Sequence, residues 1–387
     1  MIYYNKHSID NSDIKAVNKV LNSNYLTQGP LNSKFEKKLC DYFGSKYCNV
    51  LSNGTTALYL GLLSLELNKR EIILISPLSF VAGAMSAAFL NHKVDFVDIN
   101  NDTYSPCEVL LEKKILELKK RNKKVGCIII TDYSGIPANW KEINRLKNKY
   151  RFKIINDNCH AIGSTYLNSY KYAVEYADLV VQSYHAIKNI TTCEGGSILT
   201  NSKILNRKIT LLKSHGITRN LFEKKKFGAW FYDVKTLGLN FRLSEVQCAL
   251  GINQLSKLNV SIRKRFKIVK IYDNVFKSLK FIKTPNKYSD RKSSFHIYPI
   301  LIDFSKLKIS KKKLFEILKK KGYSLQVNYI PTYKFTFFKK NFNKDDFPNT
   351  EDFYYKEISL PCYYDLPLKE VYKFSTILKK ILLNYEK

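Results

Sequence analysis

Closely spaced cysteines, acidic side chains and long apolar runs are all scarce in this chain of 387 residues. Its eight cysteines (Cys40, Cys48, Cys107, Cys127, Cys159, Cys193, Cys248 and Cys362) include no Cys-x-x-Cys pair, so neither a zinc site nor a dithiol redox centre is expected, and no metal. No apolar run approaches the ~18 residues that span a bilayer, and the opening residues 1–6 lack the apolar stretch of a signal peptide. Free thiols without an address lead to the expectation of a reducing cytoplasm and no membrane partner. Only 33 Asp and Glu stand against 65 Lys and Arg, a formal charge of +32. By itself that excess asks for a polyanion. The lysines, however, are spread over the polar faces of helical stretches such as 113–124 and 311–321. With no basic face interleaved with aromatics and no reading motif, no nucleic-acid partner is expected. Attraction for small anions such as nucleotide diphosphates survives. Internal repeats and low-complexity tracts are also missing.

What is present is globular in character, with 45% hydrophobic and 25% charged residues. Ile14, Val17 and Leu21 fall at helical spacing behind the capping signal Asn11-Ser12, and Phe35, Leu39 and Tyr42 repeat the pattern until Gly44. Two helices therefore open the chain, parted by a turn at 25–30 that ends in Gly29-Pro30. Short apolar runs at 71–76, 94–98, 125–131, 152–155, 179–182 and 197–200 then alternate with helical stretches. This is the rhythm of an α/β fold with a mostly parallel sheet covered on both faces. After residue 245 the rhythm changes to a long helix, a basic segment at 284–294, a strand at 296–302, and helices at 311–321 and 368–385. The expected division is a large α/β domain, 1–245, and a smaller C-terminal α+β domain, 246–387.

Three segments carry chemistry. Ser52-Asn53-Gly54-Thr55-Thr56 follows a strand and opens a helix, where free amides and the helix dipole can hold a phosphate. It is neither a Walker loop nor a Rossmann turn, and a helix capped by Asn53 or Thr55 accounts for it equally well. Asp157 ends a buried strand at the sheet edge where open α/β folds bind ligands. A carboxylate there wants a cation, such as a protonated ring nitrogen, although an Asp capping the next helix is the plainer alternative. His160 lies three residues on. Ser183, His185 and Lys188 leave the next strand at the same edge, ahead of the turn Thr191-Thr192-Cys193-Glu194-Gly195-Gly196. Any one lysine in this chain reads as a solvated charge. It is the order of amide cradle, carboxylate and lysine on successive strand ends that sets Lys188 apart.

These runs resemble the DegT/DnrJ/StrS-type sugar aminotransferases, in which a Ser-Phe-His-x-x-Lys-Asn-like run precedes a Thr-Thr-x-Glu-Gly-Gly turn. Leu26-Thr27-Gln28-Gly29, Pro77-Leu78-Ser79-Phe80, Ser214-His215-Gly216 and Gly238-Leu239-Asn240-Phe241-Arg242-Leu243 extend the resemblance over nearly the whole chain. The runs at 292–300, 326–329, 351–354 and 357–362 are similar to a subgroup that aminates C4 of a UDP-linked 4-keto-6-deoxy-L-sugar on the route to pseudaminic acid. The resemblance implies a pyridoxal 5'-phosphate-dependent transferase of fold type I, a homodimer with active sites built from both subunits. Lys188 would hold the cofactor as a Schiff base and move protons. Asp157 would pair with the pyridine nitrogen, Phe80 stack on the ring, and His160 lie near the ring hydroxyl. Gly54, Thr55 and Ser183 would hold the phosphate, with Asn240 from the partner chain. L-Glutamate would be the donor, leaving as 2-oxoglutarate. For the UDP-sugar the candidates are Gln28, His185, His215, Arg219, Tyr298 and Tyr329, with Gln28 and the segment 292–294 toward the diphosphate. Arg219 and Arg242 are candidates for a carboxylate clamp. Four positions depart from the family pattern: Gly54 for Ala, Asn156 for Glu, Cys193 for Gly or Ala, and Asn328 for His.

Overall fold

The structure is a computed structural model that describes residues 1–387. Its centre is a seven-stranded sheet formed by β1 (Tyr47–Leu51), β2 (Ile72–Ile75), β3 (Lys93–Phe96), β4 (Val125–Thr131), β5 (Lys153–Asp157), β6 (Leu179–Ser183) and β7 (Gly196–Thr200). They lie in the order β1-β7-β6-β5-β4-β2-β3, and only β7 runs antiparallel to its neighbours. The exception has a local cause. Other strands return through helical crossovers, which preserve direction, whereas β6 and β7 are joined by a loop that folds on itself through Tyr184 N–H to Gly195 O at 2.7 Å.

The pleat of β4 shows why its run is almost wholly apolar. Ile128 and Ile130 enter a core with Phe35, Leu39 and Trp140, while Cys127 and Ile129 enter a second core with Ala57, Leu58 and Ala84 on the other face. The helix Asn11–Leu21 is capped by Asp10, one residue before the expected signal, in a reciprocal pair with Asp13. The helix Pro30–Phe43 ends at Gly44, whose φ of 70° is the left-handed stop that glycine adopts freely.

Beyond the sheet runs a helix of 32 residues, Glu245–Phe276, capped reciprocally by Ser244 and Gln247. Cys248, Leu255, Leu258 and Ile262 belong to the first core. Ile268, Val269, Tyr272 and Phe276 belong to a third one, built on the antiparallel strands Ile282–Lys283, Tyr298–Ile302 and Glu357–Leu360. The chain's start is stitched to this region: Ile2–Tyr3 pairs with Tyr323–Ser324, and Cys362 N–H donates to Tyr4 O at 3.0 Å. The segment that follows crosses back over the large sheet, where Tyr333, Phe338 and Phe347 join the second core.

Candidate active site

Register brings the chemistry together. Thr131 at the end of β4 lies opposite Asp157 at the end of β5, and Asp157 opposite Val181 of β6, so Thr131, Asp157 and Ser183 share one sheet edge. They open onto a cavity of about 640 Å³ that is also lined by Gly54, Thr55, Phe80, His160, His185, Lys188 and Tyr329. All of these but Thr131 were expected, so nine predicted residues meet around one space, along with Tyr4, Cys159, Glu194 and residues 326–328.

At one wall the helix Gly54–Ser64 begins. Asn53 accepts from Thr56 N–H at 2.8 Å, and the Thr56 hydroxyl accepts in return from Asn53 N–H at 3.2 Å. That box leaves the Gly54 and Thr55 amides without protein acceptors, pointing a helix's positive end at the cavity. The approach is close. A Cβ on Gly54 would lie 2.8 Å from Ser183 Cβ, and one on Gly196 would lie 2.5 Å from the Asn53 carbonyl carbon. The departure at Gly54 thus opens room beside Ser183, in a cradle that a Cβ would fill.

Asp157 is 7% exposed, yet no Lys, Arg or His comes within 4 Å of it. The Thr131 hydroxyl and the Cys159 amide orient its two oxygens at 3.3 and 3.2 Å. A buried carboxylate without a cation is costly unless a cationic ligand completes it. Asn156, on the opposite face of β5, donates to the buried Asp132 at 3.1 Å. Burial pushes Asp132 up to about 6 against donors from Ala138, Tyr172, Asn156 and Trp140. A Glu at 156 would set a second carboxylate there, which is the physical sense of that departure.

Lys188 sits in the self-folded loop after β6, half-buried. Desolvation lowers its amine below the ordinary lysine range, opposed by Cys159 and by the Asp157 carboxylate. Its Nζ lies 3.4 Å from Nε2 of His296, a residue to which sequence reasoning gave no role although it stands within a run singled out for resemblance. His296 is 2% exposed, and burial and then the Lys188 charge hold its pKa well below the usual value. The neutral ring can therefore accept from Nζ. His160 is held down likewise by burial and Lys188; its ring lies 4.7 Å from that of His296, and its Nε2 lies 2.9 Å from the Tyr329 hydroxyl.

The remaining candidates part company with the cavity. Tyr298 is a correction: it is wholly buried, stacked on Tyr272 at 5.3 Å, and its hydroxyl donates to Asp273, because the pleat of its strand turns it into the third core. Segment 292–294 is corrected too, since Ser293 and Ser294 are buried and bonded to the Ser134 and His160 carbonyls. Gln28, His215, Arg219 and Asn240 are exposed and do not line this chain's own cavity; nor does Arg242. Cys193, where the family has Gly or Ala, has φ of 68°, a left-handed conformation that glycine adopts more freely than cysteine or alanine. Asn328 is buried, its amide groups donating to Glu357 at 3.0 Å and Ser359 at 2.9 Å.

An amide cradle for an anion, a carboxylate in want of a cation and a desolvated lysine fit pyridoxal phosphate at each of its three functional ends. On this sheet, the arrangement is that of a pyridoxal-phosphate-dependent transferase of fold type I. Comparison with known proteins narrows the class. The model of the DegT/DnrJ/EryC1/StrS aminotransferase family matches residues 7–379. A Campylobacter jejuni protein named UDP-4-amino-4,6-dideoxy-N-acetyl-beta-L-altrosamine transaminase is 40% identical over the full length of both chains. The solved Helicobacter pylori PseC, an aminotransferase of pseudoaminic acid biosynthesis, superposes with a TM-score of 0.91 at 35% identity, covering 99% of this chain and 100% of that one. The PLP form of Spr1654 from Streptococcus pneumoniae gives 0.89 at 25% identity, covering 98% of each chain. This chain belongs to the DegT/DnrJ/EryC1/StrS aminotransferase family, whose enzymes work with pyridoxal 5'-phosphate.

Proposed function

We propose that this enzyme transfers the amino group of L-glutamate to C4 of UDP-2-acetamido-2,6-dideoxy-β-L-arabino-hex-4-ulose, the sugar aminated on the route to pseudaminic acid. The observation that carries the reading is the meeting of Lys188, Asp157 and the Gly54–Thr55 amides in one cavity of a chain alike end to end to a transaminase of that name. When bound, pyridoxal phosphate supplies an electron sink and a carrier for the amino group. Lys188 attaches it and then moves protons at its Nζ; a lowered pKa keeps more of that amine neutral and nucleophilic. His296 steers Nζ by accepting a hydrogen bond, and two neutral histidines avoid adding charge beside it. Of the residues lining the cavity, Asp157 would hold the ring nitrogen, Phe80 would cover the ring, His160 would lie by the ring hydroxyl, and Gly54, Thr55 and Ser183 would hold the phosphate. His185 and Tyr329 face the sugar.

Lys188 is the one lysine of this cavity, and no arginine lines it, so countercharge for a UDP diphosphate has to come from elsewhere. We therefore propose a homodimer in which the partner supplies Asn240 to the cofactor phosphate and residues such as Gln28, His215 and Arg219 to the substrates. The exposed strip with Leu221, Phe222, Trp230 and Leu237 supports it. The division into a large domain, 1–245, and a small one, 246–387, is proposed with it. No helix is long and apolar enough to cross a membrane, and all eight cysteines are free, which supports a cytoplasmic enzyme.

The deciding experiment incubates purified protein with the UDP-4-keto-6-deoxy-L-sugar, L-glutamate and pyridoxal phosphate and reads the products by mass spectrometry. A 4-amino sugar with stoichiometric 2-oxoglutarate is expected. Amination of only another keto-sugar, at C3 or on another nucleotide, overturns the substrate assignment.

A further inference from the structure

Behind Lys188 lies a second cavity of about 100 Å³, which shares no other residue with the first. Its lining includes Lys6, Gln254, Lys257, Ser261 and Arg265. Arg265 rises from the long helix and is 2% exposed, but no carboxylate lies within 4 Å of its guanidinium. Nη1 is fully used, donating to the carbonyls of Phe295 at 3.0 Å, His296 at 3.2 Å and Cys362. Nε is buried without a partner, and Nη2 bonds to no atom of the protein. The unused edge is thus the Nε–Nη2 fork, the side of a guanidinium that matches two oxygens of one anion. A buried cation with neither counter-ion nor a full set of acceptors is costly, and an anion that completes its hydrogen bonds offsets that cost.

Lys6 adds an unpaired ammonium at the rim. Asp10, the one acidic lining residue, is already engaged by Lys257 at 2.9 Å and by the Ser12 hydroxyl at 2.6 Å. At about 100 Å³ the cavity is small, of a size that suits a tetrahedral or carboxylate group. From these observations we propose that the cavity is a binding site for one compact oxyanion, held by the Arg265 fork and Lys6. The anion would lie on the side of Lys188 away from the cofactor cavity and would favour the protonated form of its amine, coupling anion level to the catalytic group. The anion site itself does not depend on which sugar the enzyme aminates; the coupling rests on the role proposed for Lys188.

The test is calorimetric titration of the cofactor-loaded protein with inorganic phosphate, and separately with acetate, at fixed ionic strength. Cofactor loading fills the Gly54–Thr55 cradle, so phosphate cannot report on that one. Saturable one-site binding of either probe is expected, with the two arms separating a phosphate site from a carboxylate site. Arg265→Lys should abolish it by removing the fork. Lys6→Ala, at an exposed side chain that leaves folding intact, should weaken it about tenfold, the equivalent of one charge-assisted contact. No saturable binding of either probe, or binding unchanged in Lys6→Ala, overturns the proposal.

Discussion

At the scale of single residues, Lys188 and the two histidines beside it carry the sharpest expectations. Lys188→Ala should cut transaminase turnover by roughly 10³-fold or more, since it removes both the attachment point and the proton carrier. Borohydride treatment should then leave no cofactor mass on the peptide that spans residue 188, whereas the parent protein retains it. His160 and His296 make a second prediction. Burial depresses both well below the ordinary histidine value of 6.5, so the folded state excludes protons that the unfolded chain takes up. Their contribution to stability is whole above pH 6.5 and is lost as pH falls through and below it, each at a slope that approaches about 1.4 kcal/mol per pH unit. Urea midpoints between pH 6.5 and 5.5 should drop accordingly, and His296→Gln should remove about half of the slope due to this pair. Lys188 and Asp157 were legible in advance because each ends or follows an apolar run. His296 carried no such signal: it reaches the lysine from a bend ahead of the strand Tyr298–Ile302, more than a hundred positions away, its carbonyl held by the Arg265 guanidinium.

At the scale of elements, strands were legible wherever both faces are buried, as in Val125–Thr131, because their composition then leaves little choice. Direction was not. Nothing in the apolar run 197–200 says that it reverses, since that is decided by contacts inside the preceding loop. Tyr298 was misplaced for a related reason: a one-residue change of face in a strand exchanges a cavity for a core, and only the pairing with Glu357–Leu360 fixes the face. Glycines at crossings are the strictest of these local constraints. Gly196→Ala would place its Cβ 2.5 Å from the Asn53 backbone, so the start of β7 and the amide cradle cannot both keep their positions. A loss of about 1–3 kcal/mol in denaturant unfolding is expected, with weakened cofactor affinity measured by dialysis.

At the scale of the whole molecule, the exposed strip makes the subunit arrangement testable. Leu237 is 89% exposed and Trp230 81%, an apolar display that a lone subunit has no reason to keep. Sedimentation should give the mass of two chains, and Leu237→Asp should shift it toward one while lowering turnover at least tenfold, if catalytic groups are lent across the interface. The long helix Glu245–Phe276 has a different bearing. At 32 residues it is about 48 Å of continuous rod, with its first half rooted in one core and its second half in another. Melting either core would fray the rod that the other packs against, so the two should lose structure as one cooperative unit. A scanning calorimeter should record a single endotherm whose calorimetric and van't Hoff enthalpies agree per cooperative unit, rather than two steps.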